Sequence, residues 1–94
     1  MNYITWLQEW FQKHCDGAWE HMYGIEIGTL DNPGWYIKID LNDTNMLDKQ
    51  TFEYKEELDD NDWIQCMVKE NIFYGYGDPQ KLERLIQIFK DWVQ

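Results

Sequence analysis

The chain contains no serine, so the commonest catalytic nucleophile is missing from it. Arginine occurs once, at Arg84, and Lys and Arg together number 8 against 18 Asp and Glu, a formal net charge of −10. Nucleic acid and anionic membranes are polyanions that need clustered cations, so this balance argues against both as partners and leaves room for a basic one. No apolar run approaches the roughly 18 residues of a membrane span. The opening Met1-Asn2-Tyr3-Ile4-Thr5 lacks the basic region and small-residue cleavage site of a signal peptide. A cytoplasmic protein is expected. Cysteine occurs only at Cys15 and Cys66, in different predicted elements and without metal-ligand spacing, so both are expected as reduced, buried thiols.

What is present points to a packed domain. Apolar residues make up 44% and aromatics 17%, which excludes a disordered chain. The 94 residues predict one domain over 1–94, and a chain of this size buries roughly 60–68% of its unfolded surface. Six Trp are many for one small core, so at least one is expected at the surface.

From Tyr3 to about Cys15, Ile4, Leu7, Trp10, Phe11, His14 and Cys15 recur at three and four, which predicts an amphipathic helix ended by Asp16-Gly17. Trp19 to Met22 reads as a connection. Tyr23 to Leu30 then alternates as a first strand, and Pro33-Gly34 predicts a type II turn with positive φ at Gly34. The turn leads into a strand with Trp35, Ile37, Ile39 and Leu41 on the dry face and Tyr36, Lys38 and Asp40 on the wet one.

After the polar loop Asn42 to Asn45, Thr51 to Leu58 shows period two, with Phe52, Tyr54 and Leu58 on one side. Trp63 to Glu70 sets Ile64, Cys66 and Val68 against Trp63, Gln65, Met67 and Lys69. Asn71 permits a tight turn into Ile72 to Tyr76, whose Gly75 predicts an edge or a bulge. Asp78 as N-cap and Pro79 at the first helical position open a last helix, with Leu82, Leu85, Ile86, Phe89, Trp92 and Val93 on one stripe. The order predicts an α+β fold. It is an antiparallel sheet of four or five strands flanked by an N-terminal and a C-terminal helix, both packed on one sheet face, with the other face open.

Catalytic and metal constellations fail at specific places. His14 and Cys15 are adjacent in a helix and point about 100° apart, and no loop of backbone amides or cluster of cations surrounds either thiol. Asp40 to Asn45 begins like a calcium loop but has Asn45 where a glycine belongs and Thr51 where a bidentate Glu belongs. His14 and His21 lack zinc spacing. Paired carboxylates could still meet in space, although nothing in the spacing singles out a pair. The acidic block is more distinctive: Glu53, Glu56, Glu57, Asp59, Asp60 and Asp62 surround one hairpin against Lys55 alone. Such a lobe either solvates a turn or docks on a basic surface with fast, salt-sensitive association.

The segments Trp6-Leu7-Gln8-Glu9-Trp10-Phe11, Cys15-Asp16-Gly17, Trp19-Glu20-His21, Tyr23-Gly24-Ile25, Leu30-Asp31-Asn32-Pro33-Gly34-Trp35, Asn61-Asp62-Trp63 and Tyr74-Gly75-Tyr76-Gly77, in that order and spacing, resemble the Imm53 family of immunity proteins of bacterial polymorphic toxin systems. The resemblance spans nearly the whole chain. It implies a small cytosolic protein that binds and neutralises a cognate toxin domain, with no enzymatic activity and no cofactor. A basic toxin such as a nuclease would fit the acidity. The contact residues expected are Trp19, Glu20, Tyr36, Glu56, Glu57, Asp59, Asp60 and Asp62, an aromatic anchor with a charged rim. Two other classes stay open on the residues alone: a small hydrolase or transferase using carboxylates or Cys15, and a generic acidic interaction module. Oligomeric state is not readable.

Overall fold

The computed structural model describes residues 2–42, 44 and 52–94. Helix α1 (Tyr3–His14) is capped by Asn2, whose side chain accepts from the Thr5 N–H. Gly17, at φ +93°, takes the left-handed turn after it. Residues Trp19–Met22, expected as a connection, form a short helix α2 instead. Both carboxylates beside it explain this. Asp16 accepts from the N–H groups of Ala18 and Trp19, and Glu20 reaches back to those of Asp16 and Gly17.

Five strands follow: β1 (Ile25–Leu30), β2 (Gly34–Asp40), β3 (Phe52–Asp59), β4 (Asp62–Lys69) and β5 (Ile72–Gly77). All pairings are antiparallel, in the spatial order β1-β2-β5-β4-β3. β5, expected as an edge or a bulge, is therefore the central strand, and it pairs with β2 and β4 without a register shift. Gly75 is there for packing: a Cβ on it would stand 2.8 Å from Cγ2 of Ile37 and 3.0 Å from Cδ2 of Leu85. The bare backbone lets the last helix settle on the sheet.

Pro33-Gly34 does not make the expected turn either. Asp31, Asn32 and Pro33 form the loop, Gly34 pairs with Leu30, and its φ is not positive. What requires glycine is crowding, since a Cβ would lie 2.3 Å from the Gly77 carbonyl oxygen of β5. The two-residue turn at Glu70 and Asn71 is as expected, with both residues at positive φ.

Helix α3 (Leu82–Val93) begins at Leu82, not Pro79. Asp78 cannot serve as its N-cap because its carboxylate is already taken by the Trp63 and Gln80 N–H groups and the Lys81 ammonium. A turn closed by Lys81 N–H to Asp78 C=O precedes the helix. α1 and α3 lie on the same sheet face as expected, sealing Ile37, Ile39, Ile64, Cys66 and Phe73 beneath Leu85, Ile86 and Phe89. Phe89 is the hub. Trp6 and Trp10 of α1 and Phe73 of β5 all meet its ring edge-on, at centroid distances of 6.0, 5.1 and 5.0 Å; such pairs add about 0.5–1.5 kcal/mol each beyond burial.

The buried stripe of α1 is rotated from the one expected: Tyr3 and Trp6 join Leu7 and Trp10 against the core, and Ile4 and Phe11 are exposed. Leu58 is also exposed, at 70%, because a register shift between Glu57 and Asp59 breaks the alternation that would have buried it. The polar loop after β2 falls mostly on residues 43 and 45–51, as do the calcium-loop comparison and the first residue of the expected third strand; these lie outside the described residues. Asn42, which is described, is tied to the Asp40 carboxylate by its backbone and side-chain nitrogens.

Candidate functional site

Helices cover one face of the sheet, and no described element packs on the other. The register brings a row of aromatic and long side chains together there. Tyr36 lies opposite Tyr76, which lies opposite Gln65; Lys38 lies opposite Tyr74, which lies opposite Met67. Tyr74 and Tyr76 stack at 6.4 Å with rings 7° apart, and the Lys38 ammonium sits 5.8 Å over Tyr74. Tyr36 lies across Gly28 of β1, where a Cβ would strike its ring, and its hydroxyl donates to the Glu26 carboxylate. That hydrogen bond is the main reason the Tyr36 phenol is held above its ordinary value.

At one end of this face the β3–β4 hairpin forms a shallow concavity with the β1–β2 turn. Asn32, Glu57, Asp59, Asp60, Trp63 and Gln65 line it, with Leu58 on its rim. Trp63 is half-buried on this face; Trp6, Trp35 and Trp92 are half-buried too, but those three pack against the core. Lys55 pairs with Glu57 at 3.5 Å, and both are more than half exposed. A pair in that position adds little stability.

The expected contact residues divide. Tyr36, Glu57, Asp59 and Asp60 are brought to the open face or its end. Trp19 is not on the surface at all: it is 1% exposed, packed by the rings of Trp10, Phe11 and His14 beneath α1. Its indole belongs to the core cluster, packed against α1. Glu20 is on the helix side, holding the turn before α2; its own backbone N–H, followed by those of Asp16 and Gly17, keeps its carboxyl below the usual range.

Glu56 also faces the helix side, where it accepts from the Tyr54 hydroxyl, to which Arg84 donates at 3.2 Å. Asp62 is bound by Lys81 at 2.7 Å. Sequence reasoning missed Trp63, Gln65, Tyr74 and Tyr76 as members of one surface. Their alternation was visible, but the adjacency of β2, β5 and β4 was not.

Cys66 is fully buried, and burial pushes its thiol up to about 12 against the pull of Arg84. Cys15, expected to be buried, is partly exposed; its thiol donates to the Phe11 carbonyl, and its pKa is raised by desolvation and then by Glu20 and Asp16. Both environments disfavour the thiolate that a nucleophile requires. Among the described residues no group of three His, Cys, Asp or Glu side chains could hold a metal ion, and no helix is long and apolar enough to cross a membrane.

The fold is that of a small α+β domain, a five-stranded antiparallel sheet with helices on one face and an acidic hairpin at one end of the other. The chain belongs to the Imm53 family, immunity protein 53, whose family model matches residues 4–94. Membership in a family of immunity proteins implies a toxin protein as partner. No curated protein and no solved structure matches the chain.

Proposed function

We propose that this chain neutralises a cognate toxin domain in the cytoplasm by binding it, without catalysing a reaction, and that the contact is made by the open sheet face and the acidic end of the β3–β4 hairpin. The observation that carries this is the continuity of an uncovered aromatic surface, Tyr36, Tyr74, Tyr76 and Trp63, with the exposed carboxylates of Glu57, Asp59 and Asp60. Aromatic side chains supply contact area at low entropic cost, and the carboxylates favour a basic partner such as a nuclease. Of the other expected contacts, Asp62 lies near that acidic end, whereas Trp19, Glu20 and Glu56 support the fold. A standard interface takes about 800 Å² from each partner, a modest part of the 6041 Å² accessible here. One sheet face suffices.

Co-expression of a candidate cognate toxin domain, with and without this chain, followed by a pull-down, tests the mechanism. Protection with a stable complex is expected, and protection without one sinks it. The double substitution Asp59→Lys and Asp60→Lys should slow association at least tenfold. Raising salt from about 50 to 300 mM should slow the wild type as the Debye length falls below 10 Å. A salt-independent on-rate would assign the hairpin to solubility.

A further inference from the structure

The two edges of the sheet are built in opposite ways. β3 is guarded: Glu53, Lys55, Glu56, Glu57 and Asp59 crowd it, and its register shifts between Glu57 and Asp59, both devices that discourage further strand pairing. β1 has neither. It pairs with β2 without a break, carries one charge, Glu26, and borders an apolar groove formed by Ile4, Leu7 and Phe11 of α1 with Ile25 and Ile27; Ile4 is 48% exposed and Ile27 41%.

The ladder shows which backbone groups this edge offers. The Asp40 N–H donates to the Gly24 carbonyl, and the Leu41 N–H donates to the Asn71 carbonyl. Odd positions of β2 therefore point at β5 and even ones at β1. By the alternation of antiparallel pairing, Ile25, Ile27 and Thr29 turn their N–H and C=O groups outward.

We propose that β1 is the dimerisation edge of this protein, and that its occupant is β1 of a second copy, joined about a two-fold axis through Ile27 to make one continuous ten-stranded sheet. Pairing about Ile27 sets Ile25 opposite Thr29 of the other copy and Glu26 opposite Gly28, keeping like faces together and opposing no carboxylates. The outward groups of Ile25, Ile27 and Thr29 then find partners, and the two α1 helices bring their exposed Ile4 and Phe11 over the paired Ile27 side chains.

Charge also selects the occupant. β1 itself offers a basic toxin one carboxylate, Glu26, whereas the acidic cluster that would attract it sits on the β3–β4 hairpin, four strand spacings or about 19 Å away. Two chains of charge −10 joined at β1 hold their acidic hairpins some nine spacings apart, about 43 Å, well beyond the Debye length. The surface assigned to the toxin stays free.

Sedimentation equilibrium of the full chain from about 5 to 500 µM tests this by mass action. The expected result is a concentration-dependent rise towards twice the 11.5 kDa of one chain. Added salt should strengthen the association, because only like charge opposes it. Ile27→Lys places two ammonium groups across the axis, and Thr29→Pro removes an outward donor without touching the β1–β2 ladder. Each should weaken the dimer at least tenfold while circular dichroism and the unfolding midpoint show a folded chain. A wild type that stays monomeric throughout, or a dimer of unchanged affinity in both folded variants, overturns the proposal. So does a monomer whose toxin binding is lost in Ile27→Lys, which would give the edge to the toxin.

Discussion

The backbone N–H of Trp63 donates to Oδ2 of Asp78 at 2.9 Å, tying the start of β4 to the turn that precedes α3. The same carboxylate, 1% exposed, also accepts from the Gln80 N–H at 2.8 Å and from the Lys81 ammonium at 2.7 Å. Burial pushes the Asp78 carboxyl up, but Lys81 and the two N–H groups outweigh it and hold it below its ordinary value. Lys81 is held above its own by Asp62 and then Asp78. Asp78→Ala leaves the Trp63 and Gln80 N–H groups without this acceptor and Lys81 with Asp62 alone, and should cost about 3 kcal/mol, read as a lower urea midpoint at pH 7.

The pH dependence follows from the directions of those shifts. A depressed carboxyl contributes stability that is present above its unfolded value, about 3.9, and is lost as pH falls through the folded one. A raised lysine contributes below about 10.4 and loses that contribution as pH rises through its folded value. The wild type should lose stability below about pH 4, and Asp78→Asn should lose less over the same range. Urea midpoints measured at pH 7 and pH 3 check this, and equal acid sensitivity in the two proteins would count against Asp78 as a source.

Gly34→Ala tests close approach, since the strand φ at this position is open to any residue. The added methyl would meet the Gly77 carbonyl at 2.3 Å, a backbone atom that cannot rotate away. The β2–β5 pair must separate locally, at a cost of about 1–3 kcal/mol. Gly17→Ala is the contrasting case, with space around it but φ +93°; there any loss comes from backbone strain. Thermal unfolding of both variants measures the two costs.

Trp19→Ala should destabilise the protein by about 3–5 kcal/mol, and Trp19→Phe by less. Neither should change toxin affinity once folding is allowed for, because the indole is enclosed by Trp10, Phe11 and His14. Affinity measured by calorimetry at a temperature where both variants are folded distinguishes a core residue from a contact.

A thiol reagent should modify Cys15 slowly and leave Cys66 untouched in the native protein at pH 8. Cys66 reacts only on global opening, so its rate should rise with denaturant in step with unfolding. Rapid native modification of Cys66 would contradict its burial.

Alternation made β2 and β4 legible residue by residue: Ile37, Ile39, Ile64 and Cys66 are all buried where period two puts them. Local pattern did not reveal which strands are neighbours. β5 is central, with Gly75 leaving room for Ile37 of β2 and Leu85 of α3, contacts that no local pattern announces. The same blindness misassigned Asp78, whose carboxylate is claimed by β4 rather than by the helix it precedes, and it hid the burial of Trp19, expected as a contact residue. Of the candidate site, Tyr36 and the hairpin acids could be read from local signals. Its tyrosine row could not, since Tyr36 and Tyr76 become neighbours only through strand order.

That order has a consequence for how the chain is made. Two hairpins, β1–β2 and β3–β4, can each form from local sequence, but they share no hydrogen-bonded edge until β5 enters between them. During synthesis each waits with one flank unzipped, and the join is completed only when residues Ile72–Gly77 have left the ribosome. A ribosome stalled short of that point would carry two sticky half-sheets, and they are the species a chaperone would have to shield.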